Sequence, residues 1–466
     1  MVFSSAVFLF YFFPAFLLCY YALPWKNAVL LIASLVFYAW GEPRFVPLLM
    51  ASAVLNYTFG RLVDAAATQQ WRRRWLAAGV AANLAMLAWF KYMGFFADLL
   101  KQVGLLDDGL KLPAIVLPLG ISFFTFQGIS YLVDLYRRDI AVQSSFWRFA
   151  MYKSMFPQLI AGPIVRYSQI AADIDQRSID NARVWRGMQL FVLGLAQKVL
   201  IANTVAVYAD RIFSVDASLL TPGVAWLGVA CYAIQILFDF SGYSNMAIGI
   251  GHMIGFTFPP NFQRPYSARS VTEFWRRWHM SLSSWFRDYV YIPLGGNRGS
   301  PWRTYFNLAL VFVLCGLWHG AAWTFVIWGC WHGALLVLER LGLGRLLARL
   351  PGPLAQAYTL LCVLLGWVFF RADDVPHALH YLRAMFGMQA SAVAPLAAWQ
   401  LSFGSSAAIA LVVGSMIACW RWPAALPLGG RTAWRVAAPV LVAAGFVLCV
   451  ASLAAGTYNP FIYFRF

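Results

Sequence analysis

The sequence predicts an all-α polytopic membrane protein with roughly eleven to thirteen transmembrane or re-entrant helices. Three observations lead there. Hydrophobic residues make up 61% of the chain and charged residues 11%, whereas soluble domains are about 45–50% apolar. Apolar runs of about 20 residues, the length that crosses about 30 Å of hydrocarbon as a helix, recur from end to end. The charged side chains gather between those runs, and the mean hydropathy of the whole is +0.66.

The long runs are 5–23, 76–100, 114–135, 187–208, 223–240, 304–318, 321–338, 354–370, 405–420 and 434–455, joined by shorter or mixed ones at 28–41, 45–63 and 243–256. The first is read as a retained helix, because residues 1–5 carry no positive side chain and the run passes into a second span after Lys26. Arginine clusters at 72–74 and 137–138 are placed on the cytoplasmic side, with the N-terminus outside. Between them the loop 101–113, which contains Asp107 and Asp108, is expected outside. No internal repeat or soluble insertion interrupts the chain, so residues 1–466 read as one membrane domain.

The net charge of +17 does not point to nucleic acid, because the basic patches lie between spans, where an excess of Lys and Arg marks cytoplasmic loops. Seven cysteines, Cys19, Cys231, Cys315, Cys330, Cys362, Cys419 and Cys449, sit within apolar runs without C-x-x-C spacing. They read as core residues, with neither a disulfide framework nor a metal site.

The segment 264–303 breaks the pattern with seven arginines: Arg264, Arg269, Arg276, Arg277, Arg287, Arg298 and Arg303. Here "VTEFWRRWHMSLSSWFRDYVYIPL" alternates rings with charges. Thr272 is expected to cap a helix starting near Glu273 and ending at Pro293 and the Gly295-Gly296 pair. That helix is placed on, or partly within, the cytoplasmic face.

Of the six histidines, His252, His279, His319, His332, His377 and His380, His319 is the sharpest. An ionisable group at membrane depth is a functional hypothesis by default, and Gly316, Gly320, Ala321 and Ala322 around it allow close approach of a helix or a thin substrate. Two readings stand on position alone: a neutral imidazole that accepts a proton from an attacking hydroxyl, or a packing histidine satisfied by a neighbouring carbonyl. His332 would lie about 220° around one continuous helix from His319 and is read as structural. His377 and His380 follow Pro376 and are read as exposed.

The motifs "PQLIAGPIVRY" at 157–167, "FDFSGYSNMAIGIG" at 238–251, "PPNFQRPY" at 259–266, "EFWRRWHMSLSSWFRDYVYIPLGGN" at 273–297, "GLWHGAAWTFVIWGCWHG" at 316–333 and the closing "FIYFRF" together resemble the membrane-bound O-acyltransferases. Within them, the resemblance is closest to the bacterial branch that holds the alginate O-acetyltransferase membrane subunit. Teichoic-acid D-alanyl transfer proteins are further off. The likeness is collinear over nearly the whole chain.

It implies a tunnel or funnel with acyl transfer near its middle, in a multi-pass protein of the bacterial inner membrane. By motif, the family's catalytic histidine falls on His319, acting as base. Its second polar position falls on His279, which is expected to orient and donate. Acetyl-coenzyme A is the implied acyl donor, with no permanently bound cofactor and no metal. Arg276, Arg277, Arg287 and Arg298 would then ring the cytoplasmic mouth and hold its phosphates, with Trp275, Trp278 and Trp285 lining the mouth or anchoring the helix. Anionic lipid headgroups are an alternative partner for the arginines. The acceptor is a hydroxyl on an extracytoplasmic partner protein of a polysaccharide-modification complex, or on the sugar directly; alginate, cellulose and other exopolysaccharides stand as substrates.

Two positions depart from the family pattern. Asn245 stands where an acidic residue is expected, and Cys315 where a small one is. A thioester on Cys315 is disfavoured, because burial in apolar surroundings raises a thiol's pKa. A polytopic transporter or flippase without bond chemistry is the rival class. It predicts inverted repeats, which the sequence does not show, and transport that survives loss of His319. A structural scaffold would leave the buried histidine unexplained.

Overall fold

The computed structural model describes residues 1–107, 115–388, 403–420, 431–456, 458–460 and 462, with backbone alone for 431–436. Asp108 of the expected outer loop and all of the closing "FIYFRF" except Ile462 lie outside the described residues. Every regular element among the described residues is helical. Seven helices are long and apolar enough to cross a membrane: Pro43–Ala65, Gln69–Gln102, Asn181–Ser214, Pro222–Met253, Trp323–Arg349, Gly352–Arg371 and Ala437–Ala454. Three shorter apolar helices, Phe8–Ala22, Lys26–Gly41 and Ser405–Cys419, accompany them. The protein is a multi-pass helical membrane protein.

One boundary differs from the hydropathy reading. The runs 223–240 and 243–256 form a single helix, Pro222–Met253. Gly242 does not break it, because the glycine serves a close helix approach. A Cβ at Gly194 would fall 2.4 Å from Gly242 O, and one at Gly242 would fall 2.6 Å from Gly194 O.

The residues group into two compact units, Met1–Met188 with Ala247–Pro259 and Gln189–Met246 with Pro260–Phe466. In the first unit, Asn56 and Asn83 exchange amide hydrogen bonds of 3.1 and 2.8 Å between the Pro43–Ala65 and Gln69–Gln102 helices. Arg72 Nη2 donates to Leu135 O at 3.0 Å, which brings the 72–74 and 137–138 clusters to the same end of the unit.

In the second unit, the Pro301–His319 and Trp323–Leu338 helices form a tight hairpin on glycine. A Cβ at Gly316 would sit 2.3 Å from Phe325 O and one at Gly329 2.3 Å from Phe312 O. Such small-residue contacts let membrane helices approach backbone to backbone. Gly316→Ala is therefore expected to destabilise the purified protein by about 1–3 kcal/mol of overpacking. Gly94→Ala, whose Cβ would meet nothing within 4 Å, serves as the tolerated control in thermal melts. Equal melting of the two variants would contradict this packing. Two cysteines depart from expectation: Cys19 and Cys330 are exposed on the outer surface of their helices.

Candidate active site

The arginine-rich segment folds as two short helices, Val271–Arg277 and Met280–Phe286, in place of one. Ser270 caps the first, accepting from Glu273 N–H at 3.0 Å. Thr272, the expected cap, instead gives its N–H and hydroxyl to Glu339 at 2.9 and 2.6 Å. The break falls at Trp278 and His279, whose φ of +42° is left-handed. The loop carrying Asn261 accounts for it by taking up the backbone groups the break releases. Met280 N–H donates to Asn261 O at 2.9 Å, Ser281 N–H to Asn261 Oδ1 at 3.2 Å, and Gln263 N–H to Arg277 O at 2.9 Å.

This break delivers His279 into the protein interior. Its fully buried ring packs against Phe240 at 4.6 Å, Trp318 at 6.0 Å and His319 at 6.4 Å between centroids. His319 ends the Pro301–His319 helix, after which the chain turns through Gly320. Trp328 and Phe370 each stand 5.1 Å from its ring.

His319, Phe240, Trp278, Trp328, Trp367 and Phe370, with Ile236 and Ile462, enclose a cavity of about 10 Å³, room for about one water molecule. Two larger polar cavities flank it. One, of about 510 Å³, contains Gln197, Ser241, Asn245, Arg264 and Arg277 and shares Phe262 with the surroundings of His279. The other, of about 730 Å³, contains Asp210, Arg211, Thr324, Arg371 and Asp373 and shares Phe370 with the His319 enclosure. Each buried imidazole thus adjoins a polar space through one shared ring, Phe262 for His279 and Phe370 for His319, in surroundings of low dielectric where proton transfer and hydrogen bonding weigh most.

The arginines divide differently from the expected ring. Arg276 and Arg298 are exposed, and Arg287 is exposed and paired with Asp288 at 2.6 Å. Arg277 lines the cavity that also holds Arg264 and is ion-paired to Glu273 at 2.7 Å. The break at His279 changes the helix direction, so residues before and after it do not share a face. Trp275 is buried and donates its indole N–H to His332 Nδ1 at 3.2 Å. Trp285 is buried against Phe286 and Tyr289. Trp278 is buried in the wall of the His319 enclosure.

The chain matches the model of the membrane-bound O-acyltransferase (MBOAT) family over residues 136–351. Over its whole length it is 41% identical to the protein named Probable alginate O-acetylase AlgI of Pseudomonas putida, which is itself covered completely. The chain belongs to the membrane-bound O-acyltransferase family. The homologous protein of Azotobacter vinelandii, with the same name, is 44% identical over 83% of this chain and 78% of its own. The Peptidoglycan O-acetyltransferase of Helicobacter pylori is 36% identical over 83% of this chain and 80% of its own.

The protein is therefore a membrane acyltransferase, and these relatives, named for acyl transfer, do not favour the transporter reading. Both histidines and the Asn261 loop fall within the matched MBOAT region. His332 is fully buried among Trp275, Trp328 and Phe274. Its premise of one helix through 319 and 332 does not hold, because the helix ends at His319 and resumes at Trp323. Asn245 gives its amide to Gln197 at 2.8 Å within the MBOAT cavity that also holds Arg264. Sequence reasoning missed Asn261 and Arg264 as site residues, although both lie in the quoted "PPNFQRPY". Their roles depend on left-handed turns at Arg264 and His279 that a hydropathy reading does not register.

Proposed function

We propose that this protein transfers acetyl groups from cytosolic acetyl-coenzyme A, across a bacterial inner membrane, to a hydroxyl that serves O-acetylation of a secreted acidic polysaccharide of the alginate kind. The observation that carries the reading is the pair of buried histidines, each beside a polar cavity, in a chain whose relatives are named as O-acetylating proteins. The cavity of Arg264 and Arg277 receives the anionic donor. The cavity of Asp210, Arg371 and Asp373 receives the acceptor, presented by an extracytoplasmic partner protein.

In this mechanism the acceptor oxygen attacks the thioester carbonyl while His319 takes its proton. The carbon–sulfur bond then breaks, the ester remains on the acceptor, and the departing thiolate takes the proton from the imidazolium. His279 orients the reacting groups. Phe262 lines the first cavity and packs on His279, and Phe370 lines the second and packs on His319, so in this mechanism both rings move as donor and acceptor meet.

The test uses purified protein in nanodiscs with acetyl-coenzyme A and an acceptor oligosaccharide or partner protein, the product read by mass spectrometry. Charge-assisted hydrogen bonds are worth about 1.5–3 kcal/mol each, so Arg264→Gln with Arg277→Gln is expected to raise KM for acetyl-coenzyme A by about tenfold or more. Arg276→Gln with Arg298→Gln should leave KM near the wild-type value. The reverse pattern would return the donor to the exposed arginines, and absence of acetylated product from the wild type would sink the proposed reaction.

A further inference from the structure

We infer that Asn261 is a positioning residue that fixes the tautomer of His279, holding the ring hydrogen on Nδ1 and leaving Nε2 as a hydrogen-bond acceptor beside His319. The inference deepens the acyl-transfer reading and rests on it for its catalytic consequence.

The argument begins from a group whose direction is not in doubt. The backbone N–H of Ser281 can only donate, and it meets the Asn261 side chain at 3.2 Å; the atom it meets is therefore the amide oxygen. The amide nitrogen on the other side donates to Ser244 Oγ at 3.1 Å, which agrees. Ser281 Oγ also donates to that oxygen at 2.8 Å. His279 Nδ1 approaches the same atom at 3.1 Å. An amide oxygen has no hydrogen to give, so Nδ1 must carry one and donate it.

A neutral imidazole with its hydrogen on Nδ1 has a lone pair on Nε2. That nitrogen is buried and has no hydrogen-bond partner among the described residues. The rings packed around it are Phe240, Phe262, Trp318 and His319, of which only His319 titrates. On this inference His279 accepts toward the reacting groups, where the family resemblance implied that it donates. By the same logic His332, which accepts from the Trp275 indole on Nδ1, holds the opposite tautomer, so the two fully buried histidines are distinguished by their partners and not by burial.

The experiment is nitrogen-15 solid-state NMR of histidine-labelled protein in lipid. The chain has six histidines, and the signals of His279 are assigned by their loss in His279→Asn. The wild type is expected to show a protonated Nδ1 and an unprotonated Nε2 at position 279. A protonated Nε2 overturns the inference without recourse to any variant. Asn261→Leu removes the accepting oxygen and should mix the tautomers, lowering kcat by about 10²-fold with KM little changed, at the low end of what positioned acid–base groups contribute. Asn261→Asp keeps an accepting oxygen and should retain the wild-type tautomer and most of kcat. Mixed tautomers with unchanged kcat would overturn the catalytic role of the tautomer, and equal losses in both variants with the wild-type tautomer retained would reduce Asn261 to a cap of the following helix.

Discussion

His319→Ala is expected to lower acetyl transfer by about 10²–10⁴-fold, the range of a positioned general base, while the protein accumulates in the membrane and melts as the wild type does. The side chain stands at the end of its helix, against the small enclosure formed with Trp328 and Phe370. The glycine contacts that hold its hairpin lie at Gly316 and Gly329. Its removal should thus be felt in chemistry more than in folding. His319→Asn should be as inactive as alanine, because an amide does not take a proton at neutral pH. His279→Asn should keep measurable turnover, because an amide oxygen can accept a hydrogen bond as Nε2 does, and asparagine tolerates the left-handed backbone at this position. Turnover in His319→Asn together with an inactive His279→Asn would reverse the two roles.

Comparable losses, this time of stability, are expected from the buried ion pair of Lys198 and Asp239. The two groups meet at 2.7 Å with almost no exposure to solvent. Lys198 also donates to Pro460 O, and Asp239 accepts from Ile462 N–H at 2.9 Å. Ile462 itself borders the His319 enclosure, so the pair ties one wall of the site to the helices Asn181–Ser214 and Pro222–Met253. Removing one partner leaves the other charged and alone, at about 3–5 kcal/mol. Lys198→Met and Asp239→Leu should each melt well below the wild type and lose transfer activity. The double variant should recover much of the stability, since replacing a buried pair by apolar side chains is often close to neutral. Single variants that melt normally, or a double variant as unstable as the singles, would contradict this role.

Hydropathy placed most of the crossings, because the hydrocarbon core imposes its length on each helix whatever the helix packs against. It also singled out His319, since a titratable group inside an apolar run is conspicuous. The reading stopped where structure depends on distant partners. Gly242 looks like a helix breaker in isolation and is instead a point of contact with Gly194. The left-handed turn at His279 follows from hydrogen bonds to Asn261, eighteen residues earlier in the chain, and no local preference marks it. Once that turn is missed, Arg276, Arg277, Arg287 and Arg298 read as one ring, and Arg264 is left out of it. Lys198 and Asp239 are as conspicuous within their apolar runs as His319 is, and only their contact with each other at 2.7 Å is hidden from the sequence.

The enclosure around His319 bears on the energetics of the host membrane. A passage that admits a thioester from one side and a hydroxyl from the other would, left open, also conduct protons, each releasing about 2.3 kcal/mol per 100 mV of potential. Beside His319 there is space for about one water molecule, and the rings of Phe240, Trp278, Trp328, Trp367 and Phe370 fill the rest of its surroundings. On the proposed reading, such aromatic packing would act between turnovers as electrical insulation across the membrane the enzyme spans.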